Sequence, residues 1–173
     1  PKFDGDLKTS PLGLNVATDT ELPLGAYARF SVHQQMDENW SVEFTTGWDN
    51  WSALQDVLIS GERGAVGLVT DWRDTFHVAW GAEYKMDSYW TLTGGVAYDS
   101  NPVSDQHRNA QLPVDKQIRY AAGAQYAISD ALTVGGYVNY ADLGSAQITA
   151  QRFGGDFDYN NATSPIANVK WAF

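Results

Sequence analysis

Arg29, His77, Lys85 and Arg119 share one property: each falls on the polar side of a segment in which every second residue is apolar or small. Glu43 and Glu83 occupy the same side of their own segments. Residues two apart in an extended chain project to one face. These cations can therefore pair with the carboxylates in a ladder that fills an interior, or meet the charged group of a ligand, and both alternatives stand at this point. Catalysis finds little support. His33, His77 and His107 lie in separate segments, and no G-x-S-x-G, H-E-x-x-H or phosphate-binding glycine loop occurs, so neither an enzyme nor a cofactor is expected. Asp99, Asp105 and Asp115 crowd one stretch, but their spacing matches no calcium loop and no metal site is assigned.

The elements that position these residues are read from period-two alternation. In the clearest window Phe76, Val78, Trp80, Ala82, Tyr84 and Met86 share a face, against Thr75, His77, Ala79, Gly81, Glu83 and Lys85. The pattern recurs in Trp40/Val42/Phe44/Thr46/Trp48 and in Trp90/Leu92/Gly94/Val96/Tyr98. It recurs again in Leu24/Ala26/Ala28/Phe30/Val32, Tyr120/Ala122/Ala124/Tyr126/Ile128, Leu132/Val134/Gly136/Val138/Tyr140 and Ala167/Val169/Trp171/Phe173. Rows of roughly 9 to 11 residues, at about 3.3 Å rise and about 45° tilt, span about 25 Å, the height of an outer-membrane apolar band. Aromatic residues at the row ends suit the two headgroup levels.

The connections follow a rhythm. Residues 36–39, 86–88 and 129–130 are tight polar turns, whereas 52–71, 100–116 and 142–163 are long and rich in Gly, Asp and Asn. Outer-membrane barrels place short turns in the periplasm and long loops outside, which puts the C-terminus in the periplasm. The end of the chain sharpens this, because Val169, Trp171 and Phe173 form an alternating terminal row of the kind read by the outer-membrane assembly machinery. A general porin or structural barrel, and a soluble lectin-like β-sandwich, are the competing expectations.

Composition agrees. The 173 residues include 7 Trp, 9 Tyr, 7 Phe and 16 Gly, with no Cys and only 18% charged residues, a mix that favours β structure. No run approaches the ~18 apolar residues of a spanning helix. A net charge of -10 without a basic patch argues against nucleic acid. The chain opens on Pro1-Lys2-Phe3 without a leader, and is expected to be a piece of a longer protein.

Four stretches carry a family resemblance: Leu22-Pro23 opening into Gly25; Trp51-Ser52; Asp71-Trp72-Arg73-Asp74-Thr75 leading to Gly81-Ala82-Glu83-Tyr84; and the run from Gly95 to Val103. The last is similar to a G-x-x-Y-D-x-S-P-V signature, with Asn101 where Ser is usual. The sequence thus resembles the FadL/TodX/OmpP1-type transporters of hydrophobic compounds. In Leu112-Pro113-Val114-Asp115-Lys116-Gln117-Ile118-Arg119, Arg119 resembles the arginine that opens the family's next strand, at altered spacing.

The resemblance implies an all-β, antiparallel transmembrane barrel of about fourteen strands, within the usual range of such barrels. This chain would supply the C-terminal half, seven strands or eight if residues 2–10 add one, as a single segment over 1–173, without the N-terminal plug and first strands. It further implies outer-membrane transport of long-chain fatty acids or similar apolar molecules by diffusion. The partners would be that ligand, outer-membrane lipid and lipopolysaccharide, and the barrel assembly machinery. A carboxylate ligand needs a greasy slot and a cation. Arg73 matches a family position near the ligand head group; Arg119, His77 and Arg29 are the further candidates. Apolar residues after Trp51, including Leu58, Ile59, Val66 and Leu68, are expected to extend strands.

Overall fold

Period-two alternation becomes β-strand in the described part of all seven windows, save that Leu24, Ala26 and Met86 fall just outside their strands. A computed structural model describes residues 2–9, 14–21, 24–54, 56–61, 64–69, 71–108, 113–149 and 154–172; Leu22, Pro23, Leu112 and Phe173, named above, lie outside the described residues. The strands are β1 (Lys2–Thr9), β2 (Leu14–Glu21), β3 (Tyr27–Gln35), β4 (Trp40–Asp49), β5 (Asp56–Gly61), β6 (Gly64–Val69) and β7 (Thr75–Lys85). They continue with β8 (Trp90–Asp99), β9 (Gln117–Ser129), β10 (Leu132–Asp142), β11 (Ala146–Ile148), β12 (Gly155–Phe157) and β13 (Asn161–Trp171), and one 3-10 turn, Trp51–Leu54, follows β4.

Seven strands form one antiparallel sheet in the order β13-β10-β9-β8-β7-β4-β3. The backbones of β1, β2, β5 and β6 form a separate four-stranded sheet. The N-terminal segment is thus a strand, but it pairs with β2 and adds no eighth strand to the main sheet. The apolar stretch after Trp51 forms the β5–β6 hairpin of that second sheet, so it does not lengthen β4 or β7. β13 begins at Asn161, earlier than alternation from Ala167 suggests. Pro165, opposite Val138, interrupts the apolar row, yet the strand runs through it in register with β10.

Register turns the seven rows into two faces. Val32, Phe44, Trp80, Val96, Tyr120 and Tyr140 stand opposite one another across six strands. Large apolar side chains on this face are open, with Phe30 62% and Trp80 58% exposed. An uncovered apolar surface of this extent is unstable in water and suits a lipid environment. The opposite face carries Ser41, Glu83, Thr93, Gly123 and Tyr137 in one row, polar or small except where an aromatic ring lies over a glycine. Tyr137 covers Gly123, where an added Cβ would come within 2.1 Å of the ring.

The short turns share one construction. The Asp37 carboxylate accepts hydrogen bonds from the N–H groups of Asn39 (2.8 Å) and Trp40 (2.7 Å), and Asp87 accepts from Tyr89 and Trp90 at 2.7 Å each. Each Asp sits in a Met-Asp-x-x-Trp run whose Met N–H donates to the Trp carbonyl, at 2.9 Å for Met36 and 3.0 Å for Met86. The Ser129 hydroxyl oxygen accepts the corresponding pair from Ala131 and Leu132. These turns close the backbone locally, and the two Asp turns set a Trp at the strand start. Trp40 then stacks on Tyr84 at 4.5 Å, and Trp90 meets Tyr126 at 4.8 Å. Together they form an aromatic belt at the short-turn end.

Candidate functional site

At the long-loop end, the inner face carries one cross-strand row: Arg29 opposite Gly47, Gly47 opposite His77, His77 opposite Asp99 and Asp99 opposite Gln117. Register thus gathers residues that are far apart in the chain. Arg119, two positions beyond Gln117, shares that face and reaches diagonally to Asp99 with Nη2 2.5 Å from Oδ2, while His77 Nδ1 lies 2.9 Å from Oδ1. A single carboxylate therefore engages a separate nitrogen group with each oxygen. Arg29 reaches diagonally in the same way, its Nη2 lying 2.9 and 2.8 Å from the two oxygens of Asp49.

Above this row stands a cavity of about 460 Å³ whose lining includes Arg29, His77 and Arg119 together with Trp51, Trp72, Pro102 and Val103. The loops that roof it are tied in three places. Trp72 and Val103 form an isolated antiparallel bridge, and Arg73 donates its N–H to the Pro102 carbonyl at 2.7 Å. Trp51 meets Trp72 edge-on at 5.4 Å. Asp74, just before β7, accepts from the Ser52 N–H and the Trp48 indole N–H, both at 3.1 Å. Hydrogen bonds from Ser52, with a further contribution from Trp48, hold the Asp74 carboxyl below its usual range.

Of the candidate residues, Arg29, His77 and Arg119 meet in this cavity, whereas Arg73 is exposed at the rim and does not line it. The two carboxylates nearest it in the chain are engaged elsewhere, Asp71 with His107 at 2.8 Å and Asp74 with Ser52 and Trp48. Lys85 lies at the opposite, short-turn end of β7. Arg108 carries no alternation and no motif, so sequence reasoning missed it. Its guanidinium is fully buried, donating to the carbonyls of Val114 (2.9 Å), Gln147 (2.6 Å) and Val103 (3.3 Å) and pairing with Asp105 and Asp115. The three crowded aspartates each face an arginine: Asp99 pairs with Arg119, and Asp105 and Asp115 pair with Arg108.

Asn101 accepts from the Val103 N–H at 3.0 Å, an acceptor role that the usual Ser of the signature can also fill. Ser104, His107 and Asp71 approach one another, but hydroxyl and carboxylate both meet the same ring nitrogen, Nδ1. A nucleophilic triad needs them on opposite nitrogens, so the cluster is not arranged for one. Among the described residues no group of three or more His, Asp or Glu stands close enough to hold a metal.

The family model for outer membrane protein transport proteins (OMPP1/FadL/TodX) matches residues 4–169. The chain belongs to this family. The long-chain fatty acid transport protein of Escherichia coli O6:H1 is 25% identical over 169 residues, covering 87% of this chain and 36% of that relative. Outer membrane protein P1 of Haemophilus influenzae strain Rd is 29% identical over 136 residues, covering 78% and 28%. The fold matches a Pseudomonas aeruginosa FadL homologue with a TM-score of 0.73 at 22% identity, over 90% of this chain and 36% of that one. The P. putida toluene transporter TodX aligns with a TM-score of 0.63 at 15% identity, over 98% and 44%. The chain therefore spans about a third of the length of these OMPP1/FadL/TodX relatives, and its seven-stranded sheet is a partial barrel.

Proposed function

We propose that the whole protein carrying this chain lets hydrophobic molecules diffuse through an outer-membrane barrel, and that the cavity above Arg29, His77 and Arg119 is a stop on that route. The observation that carries this is the pairing of an apolar roof, Trp51, Trp72, Pro102 and Val103, with a polar floor in one cavity of about 460 Å³. Pockets for small apolar ligands take this form, mostly greasy with a few placed polar groups. Family membership supports transport, and relatives named for long-chain fatty acids and for toluene bracket the substrate as a fatty acid or another apolar molecule. Arg73 is assigned to the rim, where an incoming ligand would pass.

In this reading residues 1–173 form a single barrel segment. The short turns and the C-terminus face the periplasm, the long loops meet lipopolysaccharide, and Val169, Trp171 and Phe173 present the row bound by the assembly machinery. The test is uptake of toluene and of dodecanoate into vesicles holding the whole protein. Gln117→Trp, which fills the cavity, should slow uptake at least about tenfold, and uptake no faster than in protein-free vesicles would end the transport proposal.

One observation favours a second reading, a general porin. Below the ion pairs, a second cavity of about 410 Å³ is lined by Gly81, Gly95 and Ala121, which leave room on the inner face. Single-channel conductance of small ions separates the two, because a general porin conducts steadily and a closed hydrophobic route does not.

A further inference from the structure

A ligand carboxylate needs a cation that is not already committed. In the cavity described above each lining arginine is committed. Arg119 holds one oxygen of Asp99 and Arg29 holds both oxygens of Asp49. Arg108 is enclosed by backbone carbonyls, Asp105 and Asp115. His77 faces the remaining Asp99 oxygen. Three guanidinium groups thus face four carboxylates.

The positions are set by strand register. Asp99 stands directly opposite His77 and diagonal to Arg119, and Asp49 is diagonal to Arg29. An entering carboxylate must either share one of these guanidinium groups with its aspartate or displace that aspartate, and in both cases it lies beside the aspartate, where like charges disfavour each other. An uncharged ligand of the same length meets the same roof and disturbs no pair.

We propose that Asp99, seconded by Asp49, is the specificity-determining group of this cavity. It occupies the place a ligand carboxylate would take, so that the site admits an uncharged apolar molecule and disfavours its carboxylate analogue. This rests on the proposal that the cavity lies on the ligand route, and it names the ligand's charge. Rejection here is built from a fixed repulsive group, a common route to specificity.

The test compares dodecanol with dodecanoate binding to the whole protein in lipid nanodiscs at one fixed pH. Wild type is expected to prefer dodecanol. Asp99→Asn leaves Arg119 and His77 without a carboxylate, and the dodecanol-to-dodecanoate affinity ratio should fall at least about tenfold. Asp49→Asn, acting through Arg29, should lower it too, and decides the matter if Asp99→Asn does not fold by heat-modifiable gel migration. Equal or tighter binding of dodecanoate by wild type overturns the proposal, as does an unchanged ratio in the folded variants. If Gln117→Trp still abolishes binding of both probes, the cavity stands and only the charge selection fails. If Gln117→Trp leaves both probes bound as before, the cavity assignment fails and the proposal with it.

Discussion

Arg29 reaches Asp49 by lying across Gly47, and the glycine makes that path possible. A Cβ on Gly47 would stand 2.4 Å from Arg29 Cδ and 2.6 Å from Nη1. The cross-strand partner of an arginine is here the residue that stays out of its way. Gly47→Ala should therefore move the Arg29 side chain off Asp49 and also press on the Ala28 carbonyl oxygen, 2.8 Å from the added Cβ, so the strand must shift locally. The part of the cost that belongs to the lost ion pair is about 1 kcal/mol or less, since Arg29 is partly exposed and such pairs are weak. Chemical denaturation of the whole protein with Gly47→Ala, Asp49→Asn and both together measures it, and additive losses would show that the two positions are not coupled.

The two faces make opposite forecasts for a new charge. Val96 stands in the middle of the apolar row, between Trp80 and Tyr120, whereas Thr93 stands on the inner face opposite Glu83. Val96→Arg should cost about 2 to 4 kcal/mol in lipid, and Thr93→Arg should cost less than about 1 kcal/mol. Refolding titrations into lipid vesicles distinguish the two. Equal costs would mean that the apolar face does not meet lipid.

Arg108 ties three segments, 103–108, 113–115 and 146–148, through its guanidinium. Arg108→Met keeps much of the bulk but strands the Val114 and Gln147 carbonyls, each worth about 1 to 3 kcal/mol when left without a partner and less where water can enter. The loops should loosen while the sheet, whose ladders Arg108 does not touch, stays intact. Limited proteolysis of the whole protein in detergent is expected to cut the variant in the loops around 100–116 and 143–149 at a rate well above wild type, with heat-modifiable migration retained. Protection equal to wild type would remove Arg108 as the tie.

Asp74 gives a pH dependence with a definite sign. Its carboxyl is held below the ordinary value of 3.8 by Ser52 first and Trp48 next. A depressed carboxylate contributes stability above its unfolded value, and that contribution is lost as pH falls through the lower folded value. The Trp48 indole N–H resonance should hold its position as pH passes through 3.8 and move only further down. Asp74→Asn should remove that transition. A midpoint at or above 3.8 would contradict the assignment.

The amino-acid sequence alone determined the strands and their faces. Trp80 against Ala79, or Val96 against Ala97, is decided by chain periodicity, because successive side chains in extended backbone must point to opposite sides. It also carried the family, through runs such as Gly95 to Val103. Three limits had physical causes. Pro165 hid the start of β13, since a proline without an N–H reads as a break in a strand pattern although the ladder with β10 continues through it. Apolar composition marked β5 and β6 as extended, yet could not say that they pair with β1 and β2 in another sheet. Arg108 has no periodic signal at all, because its role comes from carbonyls on three loops that converge only in space. The ion pairs belong to the same class. Arg29, His77 and Arg119 were legible as inward-facing cations, but whether each was open to a ligand or already held depended on strand register. Register sets Asp99 between His77 and Arg119, and Asp49 within reach of Arg29, and that register is fixed only when neighbouring strands pair in the sheet.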